Sequence, residues 1–250
     1  MCRLIGACSA GDAGYAFCLQ GAPRSLAALS PEHPHGWGLA VHDGAEGWSL
    51  VRSPACARDD QGFSGAAERA RGPILIAHIR KRTVGPVRVE NTHPFRRGRW
   101  VFAHNGTVTD LDFLTRRTSP ARLAEIEGDT DSERLFAFLL TALDEAASTM
   151  ESIGNALARA LRSAILRPDF GTANLLLSDG RSLFTFRAGR SLYLLDRKRA
   201  PASPVADAHR RRPAVLVASE RLTDEPWDEI PEGALLRIDG GEAPRVARVA

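Results

Sequence analysis

The sequence predicts an α+β fold built on antiparallel sheets. Three observations carry this. Short apolar runs bounded by turn residues fill the first hundred residues, helix-period segments occupy the middle, and short strands return in the last third. Strands, then helices, then strands argue against an alternating βαβ chain.

Taken in order, Leu4 to Cys8 reads as the first strand. GWGLAVH, Gly36 to His42, is the next, and Gly44 in DGAEG turns it back into Trp48 to Arg52 as a hairpin. PILIAHI, Pro73 to Ile79, reads as a buried strand, and RWVFA, Arg99 to Ala103, as another. Asp131 to Ala147 places Leu135, Phe136, Leu139, Leu140 and Leu143 at helical spacing. Thr130 precedes it with Glu133 three residues on, the pattern of a capping box. A second helix is expected from Ser152 to Leu166, ended by Pro168. Strands are then expected at Asn174 to Ser178, Ser182 to Phe186, Ser191 to Leu195, Ala214 to Ser219 and Ala234 to Ile238. Turn signals between the first three predict that they run antiparallel, and Arg197 to Arg212 reads as the long loop. No internal repeat is visible.

The 250 residues suit one domain spanning 1–250, with ample length for a core. The 33 basic and 30 acidic residues leave a net charge of +3, too balanced to argue for nucleic acid or a membrane as partner. The basic run at 209–212 is short and reads as a solvated loop. The apolar stretch after Arg3 is cut by Asp12, unlike a secretory signal, and no run approaches membrane-spanning length. Cys2, Cys8, Cys18 and Cys56 form no Cys-x-x-Cys and pair with no His at zinc-finger spacing. A reduced, cytoplasmic setting and no metal are the expectation. His33, His35 and His42 lack a carboxylate or cysteine that would complete a ligand set.

Four features carry chemistry. Cys2 directly follows Met1, so loss of Met1 leaves a terminal residue with a thiol and a free α-amine on adjacent atoms. AHIRKRTVG runs a buried strand into a charged cluster. Its His78 and Arg80 share one strand face, and the Arg80 guanidinium has the shape to hold a carboxylate, although a solvated strand end would look the same. AHNG reads as a turn after a strand, but Asn105 and Gly106 also offer a side-chain amide and a backbone N–H to one point, as an oxyanion hole needs. GDTDSE suits a helix start, yet Asp129 or Asp131 could instead bind an ammonium group. Together these make a site for an amino acid bearing a side-chain amide, and glutamine fits it.

With these motifs in this order, the chain resembles the class II glutamine amidotransferases, which are N-terminal-nucleophile hydrolases. Cys2, AHIRKRTVG, ENTHPF, AHNG and GDTDSE carry the resemblance, and HPHGWGLA and VASERLTDEPW match its small stand-alone members. The resemblance covers nearly the whole chain and implies a four-layer αββα sandwich of two antiparallel sheets. It implies Cys2 as nucleophile and Asn105 with Gly106 as oxyanion hole. It implies Arg80 and Asp131 as glutamine-binding residues, with Thr83 and His104 lining the site, and no cofactor. His35 stands where the small members usually carry an acid. The reaction implied is hydrolysis of the glutamine amide, the ammonia passing to a separate synthase if it is used. Hydrolysis of another γ-glutamyl amide, as in the ergothioneine pathway, would use the same pocket. A non-catalytic binding module ranks below both, because every carried-over position is intact.

Overall fold

A computed structural model describes residues 2–45, 47–197 and 214–249. The expected long loop falls almost wholly on 198–213, outside the described residues. The strands are β1 (Arg3–Gly14), β2 (Trp37–His42), β3 (Trp48–Ser53), β4 (Arg71–Ile79), β5 (Phe95–Arg97), β6 (Trp100–Val108), β7 (Gly171–Ser178), β8 (Ser182–Phe186), β9 (Tyr193–Asp196), β10 (Ala214–Ala218), β11 (Asp228–Glu229), β12 (Leu235–Asp239) and β13 (Arg245–Val249). The α-helices are α1 (Leu26–Leu29), α2 (Gln61–Arg69), α3 (Leu111–Arg117), α4 (Pro120–Leu123), α5 (Asp131–Thr149) and α6 (Ile153–Ile165).

Two antiparallel sheets form, ordered β11-β9-β10-β1-β4-β2-β3 and β13-β12-β8-β7-β6-β5. Strand alternation builds three cores. Leu4 and Cys8 of β1, Ile74 and Ile76 of β4, and Val101 and Ala103 of β6 pack between the sheets. Ile5 and Ala7 point the other way, against Phe63 and Ala67 of α2 and Leu26 of α1. Phe102 of β6 meets Leu135, Phe136 and Leu139 of α5, with α6 alongside. The layers run helix, sheet, sheet, helix: the αββα sandwich expected. Each fully buried Leu or Phe contributes about 1.5–3 kcal/mol by leaving water.

Most elements form where the apolar periodicity puts them, and four differ in instructive ways. First, β6 does not stop at Ala103. It runs through Asn105 and Gly106, which pair with Asn174 and Ala173 of β7, so ladder pairing overrides the local Asn-Gly turn signal. A Cβ on Gly106 would lie 2.0 Å from the Thr172 carbonyl oxygen, so glycine is what lets the strands close here. Second, β9 does not join β7 and β8 but crosses to the other sheet, beside β10. Asn174 fixes that crossing: its Nδ2 donates to the carbonyls of Arg190 at 3.2 Å and Ser191 at 2.9 Å, and its Oδ1 accepts from Ala188 N–H at 2.9 Å. Third, the capping box forms by half. Thr130 Oγ1 accepts from Glu133 N–H at 3.2 Å, but the Glu133 carboxylate turns to the N–H groups of Glu127 and Gly128 and to Arg97. Fourth, β5, β11, β13 and helices α1 to α4 carry too short or too mixed a pattern to be read from periodicity.

Candidate active site

The site lies where β1 begins and β4 ends. These strands are antiparallel, with Arg3 opposite Ile79, so Cys2 comes level with the residues just after β4. Its Sγ rests on the Lys81 peptide, 3.3 Å from the N–H that donates to it and 3.4 Å from the carbonyl that accepts from it. Cys2 is half-buried. Burial pushes its thiol pKa up, while the Lys81 backbone bond and the Arg80 guanidinium pull it down.

Arg80 is 3% exposed, so it is no solvated strand end. Its Nη1 donates to the Pro86 carbonyl at 2.9 Å, and its Nη2 to those of Val84 at 2.6 Å and Gly85 at 3.3 Å. These three bonds satisfy a buried charge and, among the described residues, leave two of the five guanidinium N–H groups uncommitted. The segment after β4 is thereby bent into a turn around Arg80, with Gly85 at φ +70°. Thr83 sits on this turn and is exposed.

Asn91 holds the same turn from behind, a residue that sequence reasoning quoted within ENTHPF but gave no role. It is fully buried. Its Nδ2 donates to Pro86 carbonyl and to Asp129 Oδ2, each at 3.1 Å, and its Oδ1 accepts from Asp129 N–H at 2.8 Å. One carboxamide thus joins the 84–86 turn to the segment that starts α5. An Asn between two turn-rich segments was the available signal, and only the fold brings those segments together.

The two aspartates of GDTDSE separate. Asp129 is half-exposed and committed to Arg88 at 2.7 Å as well as to Asn91. Asp131 is 5% exposed, and its Oδ2 accepts from Val108 N–H at 2.7 Å. Its Oδ1 accepts no hydrogen bond among the described residues. Asp131 and Arg80 both lie near enough to act electrostatically on the Cys2 thiol.

The second sheet supplies Asn105 and Gly106. Asn105 shares the strand face of Val101 and Ala103 and so points between the sheets. It is 4% exposed, and among the described residues its carboxamide makes no hydrogen bond. His104 points the opposite way, so it does not line the space between the sheets. Its Nε2 donates to the Thr172 carbonyl at 3.2 Å, which leaves Nδ1 to accept from Ser132 Oγ at 2.8 Å. His104 therefore ties β6 and β7 to the first turn of α5, beside Asp131. Burial lowers its pKa, opposed by the Asp131 charge.

A buried histidine pair lies alongside. The rings of His78 and His93 stand 4.4 Å apart, and His93 is 4.4 Å from Phe95. His35 accepts from Arg82 N–H through Nδ1 at 3.0 Å. Burial first, then the charges of Arg82, Arg80 and Lys81, lowers its pKa. Trp37 packs edge-on to Phe63 and donates to Asp60, on the helical side of its sheet and away from Cys2. Among the described residues no three His, Cys, Asp or Glu side chains come together as metal ligands, and no helix is long and apolar enough to cross a membrane.

The family model for class II glutamine amidotransferases matches residues 1–249. The chain belongs to the class II glutamine amidotransferases. Among relatives, it is 31% identical over 207 residues to the gamma-glutamyl-hercynylcysteine sulfoxide hydrolase of Mycobacterium tuberculosis, covering 81% of this chain and 74% of that one. Two solved structures share the fold. A glutamine aminotransferase class-II domain protein from Silicibacter pomeroyi superposes with a TM-score of 0.65 at 22% identity, over 99% of both chains. The glutamine phosphoribosylpyrophosphate amidotransferase of Bacillus subtilis gives 0.68 at 17% identity, over 99% of this chain and 49% of that one. This class II amidotransferase chain thus matches about half of that enzyme.

Proposed function

We propose that the chain is an amidohydrolase of the side-chain amide of glutamine, using Cys2 as an N-terminal nucleophile once Met1 is removed. The observation that carries this is the seating of the Cys2 thiol on the Lys81 peptide, beside a buried Arg80 and a buried Asp131 with one free carboxylate oxygen.

Asp131 Oδ1 receives the substrate ammonium, and the uncommitted N–H groups of Arg80 receive its α-carboxylate. Thr83 borders this pocket from the turn. An α-amine ordinarily titrates at roughly pH 8, so that of Cys2 is partly unprotonated near neutrality and takes the thiol proton directly or through water. The thiolate attacks the amide carbon, and the oxyanion is met by the free Asn105 carboxamide and Gly106 N–H. The C–N bond breaks, the nitrogen takes the proton and leaves as ammonia, and water cleaves the γ-glutamyl thioester to glutamate. Each step is carried by the chain's own residues.

A second reading has its own support. The mycobacterial relative is named for hydrolysis of a γ-glutamyl conjugate, and the residues that would hold the γ-glutamyl end are the same. Both readings are tested by incubating Met1-free protein with glutamine and with γ-glutamyl amides and assaying ammonia, amine and glutamate. Release from glutamine supports the first, release from conjugates alone the second, and no release from any substrate removes both.

A further inference from the structure

Two peptides meet the Cys2 sulfur, and one residue holds both from the far side. The first joins Arg80 to Lys81. Its N–H donates to Cys2 Sγ at 3.3 Å, and its carbonyl accepts from the His35 N–H at 3.0 Å. The second joins Lys81 to Arg82. Its carbonyl accepts from Cys2 Sγ at 3.4 Å, and its N–H donates to His35 Nδ1 at 3.0 Å. The N–H and C=O of a trans peptide point in opposite directions. Each bond to His35 therefore sets the angle at which the other end of that peptide faces the thiol.

The backbone part of this grip would form with other side chains at position 35, and the Arg80 N–H extends it to the Gly36 carbonyl at 2.7 Å. The bond from the Arg82 N–H is different, because it needs a side-chain acceptor at one place. An imidazole accepts through Nδ1 only while neutral, with its proton on Nε2; an imidazolium has donors at both nitrogens. His35 is half-buried. The charges that act on its ring come from Arg82, Arg80 and Lys81, all positive, and with burial they favour the neutral form. Behind the adjoining Gly36 lie Thr92 and Ser53. The titratable neighbours there are His93, which is buried, and Arg52, which donates to the Thr92 carbonyl at 3.1 Å. His33, two residues before His35, is buried as well.

We propose that His35 is a positioning residue for the nucleophile: its neutral ring holds the Arg82 N–H, fixes the Lys81–Arg82 peptide and so keeps the Cys2 sulfur seated for attack. This rests on the functional reading above and adds an acid-sensitive step to it. As pH falls below about 6.5 the ring gains a proton, the Arg82 N–H loses its acceptor, and a fourth cation stands among Arg80, Lys81 and Arg82. The seat of the sulfur then loosens.

The test compares Met1-free wild type with His35→Ala, which has no acceptor, and His35→Asn, whose Oδ1 takes the place of Nδ1 and accepts at every pH. Two readouts are followed: kcat on glutamine or a γ-glutamyl amide, and the pH midpoint of Cys2 alkylation by iodoacetamide, localised by mass. At neutral pH, His35→Ala is expected to lower kcat about five- to tenfold with KM little changed, the worth of one hydrogen bond, and His35→Asn to restore it to within about twofold. The Lys81 bond pulls the Cys2 thiol pKa down, so the alkylation midpoint is expected to rise in His35→Ala and to return in His35→Asn. From about pH 7.5 to about pH 5, the ratio of wild-type to His35→Asn kcat is expected to fall about three- to tenfold. Protonation of the α-amine is common to both proteins and cancels in that ratio. Either readout unmoved in His35→Ala, or a ratio that holds constant with pH, would overturn the role of His35 and leave the functional reading standing. No turnover of any γ-glutamyl compound by the wild type would overturn that reading, and the alkylation midpoint would still decide whether His35 seats the sulfur.

Discussion

At the scale of single residues, the site divides into groups free to meet substrate and groups already occupied. Among the described residues Asn105 has an uncommitted carboxamide on the inter-sheet face, so in the proposed mechanism Asn105→Ala removes an oxyanion donor. The expected loss is about 10²–10³ in kcat with KM little changed, read by steady-state kinetics; an equal loss in KM alone would assign Asn105 to ground-state binding. His104 is occupied at both ring nitrogens. His104→Asn keeps one polar contact and His104→Phe keeps none, and the expected effect is a graded rise in KM as Asp131 loses its register. Sequence reasoning gave Asn105 the oxyanion role and His104 a place lining the site, but not the opposite directions in which they point, because strand alternation counts only once the strand is known to continue past Ala103. Asn91 escaped it for a related reason: its partners lie at 86 and 129 and meet only in the fold.

At the scale of elements, hydrophobic periodicity was enough for the strands and helices with a continuous apolar pattern. Thr130 at the start of α5 accepts from Glu133 N–H. Thr130→Ala is expected to cost about 1 kcal/mol in denaturant unfolding, and to disturb Asp131, the next residue. Gly106→Ala would set a methyl against the Thr172 carbonyl, so the expected outcome is strand separation between β6 and β7. Amide exchange along 104–108 would rise more than elsewhere in the sheet. Local signals failed where pairing outweighed them. Asn-Gly reads as a turn in isolation but sits in a ladder, and the β7–β8–β9 meander breaks because Asn174 binds the chain that crosses to the other sheet. Short edge elements such as β5 and β13 bury too little on one face to leave a period in the sequence.

At the scale of the whole molecule, burying neutral histidines next to the site links folding to pH. Burial first, then the neighbouring charges of His104, Arg80 and His33, lowers the His78 pKa to about 3. His93 is lowered well below its ordinary value by burial, with His78, His104, Arg80 and Arg52 adding to it. A base whose folded pKa is depressed contributes stability that is present above its unfolded value near 6.5 and lost as pH falls toward the folded value. Stability should therefore decline below about pH 6.5, at roughly 1.4 kcal/mol per pH unit for each histidine. Urea midpoints between pH 7.5 and 4.5 should fall less steeply in His93→Phe than in the wild type; equal slopes would remove the histidines as the cause. The same sandwich sets Cys2 immediately before β1, and the proposed mechanism makes it the nucleophile only as the first residue of the mature chain. That is tested most directly by intact mass on enzyme acid-quenched during turnover. The expected result is a chain lacking Met1 and carrying one γ-glutamyl group, localised to Cys2 and absent from Cys2→Ala. Undiminished turnover by a chain that retains Met1, or a γ-glutamyl group on any other residue, would contradict it.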